Sequence, residues 1–193
     1  MTDSTPNYNS MQIVKRQFFA MRNGVIADAL RKAGSPFRFI FGVNLPQLRD
    51  IAAQVGQSAE LAEQLWANPA TRESMLIAPM IQPEDNFTLA DAERWIATIP
   101  AAEVVDVLCL KLLRRQPYAL ELIDKLIERA DAEEGTANCE MLRYTALRLM
   151  FNLVGEHPAK AREVAACIAA RPSRLTAAVA ASLTQEADYL LEN

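Results

Sequence analysis

The stretch Ala101-Ala102-Glu103-Val104-Val105-Asp106-Val107-Leu108-Cys109-Leu110-Lys111-Leu112-Leu113-Arg114-Arg115 decides the fold class. It is mostly apolar and predicts a helix in the middle of the fold. At about 100° per residue, Glu103, Asp106, Val107, Leu110 and Arg114 fall on one helix face. Asp106 stands in the apolar run between Val105 and Val107. Two readings of it stay open. It is a solvated edge residue that pairs with Arg114 or with a neighbouring helix. Alternatively, it sits at the rim of a groove, where an anion stabilises a developing cation. Lys111, Arg114 and Arg115 close the same helix, where the macrodipole favours cations. As a phosphate-contacting patch they need partners further along the chain, and Arg143 and Arg148, or Arg171 with Arg174, are available.

Outward from that stretch, nearly every segment repeats the helical period, and no segment alternates like a strand with turn signals at both ends. A helix begins at Ser10, with Met11, Val14, Phe18 and Met21 on one face, and a second follows Gly24 and stops at Gly34. The aromatic loop Ser35 to Gly42 carries Phe37, Phe39 and Phe41, which read as packing residues. Asn44 caps the helix from Leu45 to Val55, with Pro46 in its first turn. Ser58 caps the next, Arg72 to Met80 follows, and Thr88 with Asp91 makes an acidic form of the capping box. After the central helix come Pro117 to about Ala130, a polar loop from Asp131 to Thr136, Cys139 to Val154, Pro158 to Ala170 and Ser173 to Leu191. About eleven helices joined by short turns predict an all-α chain, an α-α superhelix (solenoid) of HEAT-like helical hairpins over residues 10–193. A compact helical bundle is the alternative.

Composition narrows the function. The chain has 193 residues, 51% of them apolar, and a net charge of −4. Residues 1–96 hold nine basic and ten acidic groups, and residues 97–193 hold eleven and fourteen. Neither half announces nucleic acid through composition, although a local basic face on an acidic protein still attracts it. Residues 1–9 are polar and contain Pro6, which predicts a short disordered lead without a secretory signal. No apolar run reaches the roughly 18 to 20 residues of a membrane span, so no membrane association is expected. Cys109, Cys139 and Cys167 lie far apart and read as small core hydrophobes in a reducing cytoplasm. The one histidine, His157, precedes Pro158 in a turn and rules out a site of several histidines. Trp66 and Trp95 sit at apolar helical positions and read as core. There is no phosphate-cradling Gly-rich loop and no Ser-His-Asp order, so neither cofactor nor metal is expected.

Several segments, taken together, resemble a known family. They are Phe41-Gly-Val-Asn-Leu-Pro-Gln-Leu-Arg49, Leu61-Ala-Glu-Gln-Leu-Trp66, Arg72-Glu73 followed by Ala78, Val105-Asp106, and the helix Arg143 to Phe151. From about residue 11 to 191 the chain resembles the bacterial DNA alkylation repair family of HEAT-like DNA glycosylases (the AlkD-like fold). The resemblance implies excision of positively charged alkylpurines from duplex DNA without flipping the lesion into a pocket. In that chemistry aromatic side chains contact the lesion's sugar. A helix aspartate stabilises the oxocarbenium-like sugar as the base leaves, and Asp106 matches that aspartate. An anion beside the sugar lowers the barrier for a leaving group that is already cationic.

The sequence departs from this pattern near the same aspartate. The family places a Trp four residues before it, where this chain has Ala102, and a second in a late helix, where it has Ala181. An Arg-Arg pair of the family falls on Arg143-Tyr144. Alanines offer a sugar no aromatic face and leave the carboxylate more exposed to water, where its field is weaker. The resemblance therefore implies a DNA-associated repair-family protein with weak or lost alkylpurine glycosylase activity, with Asp106 catalytic in an active member. Lys111, Arg114, Arg115, Arg143 and Arg148 are the expected DNA contacts, and duplex DNA the expected partner. The alternative is a helical-repeat scaffold that binds a protein or peptide without catalysis.

Overall fold

The structure is a computed structural model and describes residues 10–193. The lead expected at residues 1–9 lies outside the described residues. The chain divides into two compact units, one ending at Asn86 and one running from Phe87 to Asn193. Among the described residues there are eleven α-helices and no strand.

The first unit holds α1 (Ser10–Ala20), α2 (Gly24–Lys32), α3 (Leu45–Val55), α4 (Ala59–Trp66) and α5 (Arg72–Ile81). Its helix starts follow from local chemistry. Asn23 accepts hydrogen bonds from the amides of Val25 and Ile26, and Ser58 from that of Leu61. Asn44 and Gln47 exchange side-chain to backbone hydrogen bonds in a full capping box. These groups satisfy amides that the first turn leaves without partners. Phe18, Leu48, Ile51, Leu65, Met75, Leu76 and Ile77 form the core. Trp66 is buried with them, as its spacing predicts.

One polar knot holds this unit together. Glu73 is fully buried and accepts from the amides of Phe41, Gly42 and Val43, at 3.1, 2.9 and 3.3 Å. Arg72 Nη1 lies 3.2 Å from Glu73 Oε1 and donates to the carbonyl of Val43. A buried charge survives only when paired and hydrogen-bonded, and here it is both. Gly42 has φ +76°, and a Cβ there would lie 2.1 Å from the carbonyl oxygen of Asn23, so only glycine fits. In the aromatic loop Phe37 is buried and Phe41 half-buried, whereas Phe39 is about half exposed and makes an isolated parallel bridge to Thr71.

The second unit holds α6 (Leu89–Ile96), α7 (Ala102–Lys111), α8 (Ala119–Ala132), α9 (Ala137–Phe151), α10 (Pro158–Ala169) and α11 (Ala177–Glu192). Helices α8 and α9 pack as one pair, α10 and α11 as another, and α7 lies against α9. Trp95 is fully buried, edge-on to Phe87 with ring centroids 4.9 Å apart. Thr88 and Asp91 form the expected capping box at the start of α6.

Several helix boundaries and one cysteine differ from expectation; α8 starts at Ala119 instead of Pro117, and α9 ends at Phe151 instead of Val154. The central helix ends at Lys111, and Leu113–Arg115 form a separate 3-10 turn. Leu112 leaves the helical region at φ −127°, and Gln116 is extended, as a residue before proline prefers. Thr136 accepts from the Cys139 amide, so α9 starts at Ala137 instead of Cys139. Ser173 Oγ accepts from the amides of Leu175 and Thr176, and this local turn delays α11 to Ala177. Cys109 and Cys139 are buried as expected, but Cys167 is exposed, on the outer face of α10.

Candidate functional site around Asp106

Helix α7 presents Asp106 to α9, where Tyr144 and Arg148 stand four residues apart on one face. Tyr144 Oη donates to Asp106 Oδ1 at 2.9 Å. Arg148 Nε lies 2.6 Å from the same oxygen. The contact is an ion pair without a well-aligned hydrogen bond, because Arg148 Nε meets no acceptor at hydrogen-bonding geometry. The Arg148 guanidinium also lies 5.8 Å from the centre of the Phe151 ring. Both charged side chains stay partly open to solvent, Asp106 at 38% and Arg148 at 30%. The other carboxylate oxygen meets no protein donor among the described residues.

The surroundings respond to the carboxylate. Burial pushes the Tyr144 phenol well above its ordinary value, and the Asp106 charge and the hydrogen bond add to that shift. Burial and then the Asp106 charge do the same to the Cys109 thiol. Tyr144 is thus a fixed, protonated donor at neutral pH, and Cys109 is no nucleophile. Ala102, one turn before Asp106, opens α7 as a half-buried methyl. Ala181 is exposed on α11. Neither position supplies an aromatic wall.

The structure brings Asp106 and Arg148 together, and none of the other expected contacts bonds Asp106 among the described residues. Lys111 is the last residue of α7, half-buried, and Arg114 and Arg115 are exposed in the 3-10 turn. That turn carries Arg114 off the helix on which it would share a face with Asp106. Arg143 is buried, and its Nη2 donates to Asp131 Oδ1 at 2.9 Å, with Glu134 3.8 Å away. Arg171 Nη1 binds the same two carboxylates, at 2.7 and 3.1 Å. The Asp131 hydrogen bond raises the Arg143 pKa further, so this cation is permanent. Trp95 stays in the core and His157 precedes the first residue of α10. Among the described residues no cluster of three or more His, Cys, Asp or Glu is placed to hold a metal ion. No described helix is long and apolar enough to cross a membrane.

Tyr144 is the partner of Asp106 that sequence reasoning missed. Its signals are the departure from the family's Arg-Arg pair at Arg143-Tyr144 and the four-residue spacing from Arg148, which puts both side chains on one face of α9. Nothing local announces that this face meets Asp106.

Residues 14–154 match a family model described as DNA alkylation repair enzyme. A solved structure from a new family of proteins related to the HEAT-like repeat DNA glycosylases, with affinity for branched DNA structures, superposes with a TM-score of 0.74. It is 17% identical, and the match covers 94% of this chain and 82% of that one. At that identity the likeness shows the fold, an all-α arrangement of HEAT-like helical hairpins. No curated protein matches the chain.

Proposed function

The chain belongs to the DNA alkylation repair enzyme family, and from that membership we propose that it binds DNA while its alkylpurine glycosylase activity is weak or lost. The observation that carries this reading is the state of Asp106. One of its oxygens is shared by the Tyr144 hydroxyl and the Arg148 guanidinium, and the residue one turn earlier is Ala102. A carboxylate stabilises a sugar cation in proportion to the net field it projects. At ~4 Å and an effective dielectric constant of ~20 a single charge is worth about 4 kcal/mol, and a guanidinium 2.6 Å from the same oxygen offsets much of that. Without an aromatic face at position 102 or 181, nothing presses a sugar against the remaining oxygen.

Asp106 is the catalytic carboxylate of any activity that persists. Lys111, Arg114 and Arg115 contact phosphates from the end of α7, where their three full charges outweigh the partial negative charge of the helix terminus. Arg143 and Arg148 contribute to phosphate binding only when released from Asp131 and Glu134, or from Asp106. The solved relative's affinity for branched DNA makes a branched probe the natural companion to plain duplex.

Two assays test the reading. Fluorescence anisotropy at low salt measures binding of unmodified duplex and of a three-way junction. Measurable, salt-sensitive binding is the expected result, and no binding to either probe overturns the DNA-binding reading. Base release from duplex carrying a cationic alkylpurine is expected to be slight or absent. Robust release that disappears in Asp106→Asn overturns the loss of activity.

A further inference from the structure

Charge is distributed unevenly along this chain. Residues 10–49 hold seven cations and a single carboxylate, Asp28, a local net charge of +6 in a protein of net −4. Arg31 pairs with Asp28. Lys15, Arg22, Lys32, Arg38 and Arg49 meet no carboxylate among the described residues. In the second unit more of the cations are paired. Arg94, Lys125, Arg129, Arg143, Arg148 and Lys160 are each paired with one.

Two of the cations of residues 10–49, Lys15 and Arg16, border a hollow. On α1, Gln12, Lys15, Arg16, Phe19 and Ala20 follow helical spacing and line one side of an open cavity of about 570 Å³, with Phe41 on the other. Phe19 is 58% exposed, and the Arg22 guanidinium lies over its ring, 4.0 Å from the centroid. Phe41 is held in place. Its amide donates to Glu73, its carbonyl accepts from the Asn23 amide at 2.8 Å, and its ring packs on Phe18. A large aromatic side chain left open beside Lys15, which meets no carboxylate among the described residues, fits a strand with unpaired bases. The cations meet its phosphates, and an unstacked base gains a π-face that a base inside a duplex already has.

We propose that the hollow between α1 and Phe41 is a nucleic-acid contact that takes an unpaired strand, with Lys15 meeting phosphate and Phe19 stacking on a base. This rests on the DNA-binding reading above and adds a contact in the first unit to the phosphate contacts of the second. The test uses the full chain and two labelled probes: a blunt duplex, and the same duplex with an unpaired oligothymidine flap. Lys15→Glu is expected to weaken both and to make the salt dependence shallower by about one unit or more. Phe19→Ala is expected to weaken flap binding roughly tenfold and leave the blunt duplex unchanged. Both side chains are exposed, so unchanged thermal unfolding checks that each variant is folded.

If the parent binds both probes and both variants bind as it does, the inference is wrong while DNA binding stands. Loss of binding confined to Lys111→Glu and Arg115→Glu overturns it in the same way. So does a Phe19→Ala variant that keeps parental affinity but no longer self-associates, which makes this face a contact between copies. A parent that binds neither probe at low salt sinks the functional reading and this inference together.

Discussion

Asp106 is legible in the sequence as an isolated carboxylate in an apolar run, and its environment is not. Tyr144 and Arg148 lie 38 and 42 positions further on, and only packing of α7 on α9 brings them to one oxygen. Sequence pattern reports which residues share a helix face, but not which faces meet. Tyr144→Phe removes one donor to a half-exposed carboxylate and is expected to lower stability by about 1 kcal/mol in urea unfolding. The same variant tests a pH effect. The unfolded chain gives up a tyrosine proton near pH ~10, whereas burial and Asp106 make native Tyr144 keep it. Stability is therefore complete below that pH and falls as pH rises above it. Tyr118, whose phenol is likewise pushed up by burial, adds to the fall. Replacing Tyr144 by Phe should make the alkaline decline shallower. A decline as steep as the parent's would show that the phenol is not the group responsible.

At the scale of elements, helix starts are legible because caps are local chemistry. Asn44, Ser58 and Thr88 each bond the amide three residues ahead, and each begins a helix where the sequence predicts one. Helix ends are less so. The break at Leu112 depends on a backbone turn toward Pro117 that the apolar pattern passes over, and it removes Arg114 from the face of Asp106. The knot of loop 39–43 on α5 is invisible in advance for the same reason as Tyr144. Its partners are about 30 residues apart, as in the Gly42 to Glu73 hydrogen bond. Glu73→Ala strands three amides and takes the carboxylate away from a buried guanidinium, and is expected to cost about 3 to 5 kcal/mol. Gly42→Ala, strained by positive φ and blocked by the Asn23 carbonyl, is expected to cost about 3 kcal/mol. Thermal or chemical unfolding of either variant measures this. Parental stability would mean the knot is incidental. Thr88→Ala removes one cap and should cost only about 1 kcal/mol, a useful internal scale.

At the scale of the molecule, the all-α class follows from a helical hydrophobic period repeated in nearly every segment. Charge is harder to read, because dividing the chain into halves averages the basic segment 10–49 into the acidic residues that follow it. The consequence is local. A protein of net −4 still attracts a polyanion where its cations lack carboxylate partners, since binding follows the field near the surface. The central claim is that DNA is bound without base excision, and one measurement addresses both halves at once. Duplex carrying a cationic alkylpurine is held with excess protein at a concentration where anisotropy shows it fully bound, and free base is followed over time. We predict release at, or only slightly above, the rate seen in protein-free DNA. Robust release that falls to that rate in Asp106→Asn would contradict the account and restore the family's chemistry to this site.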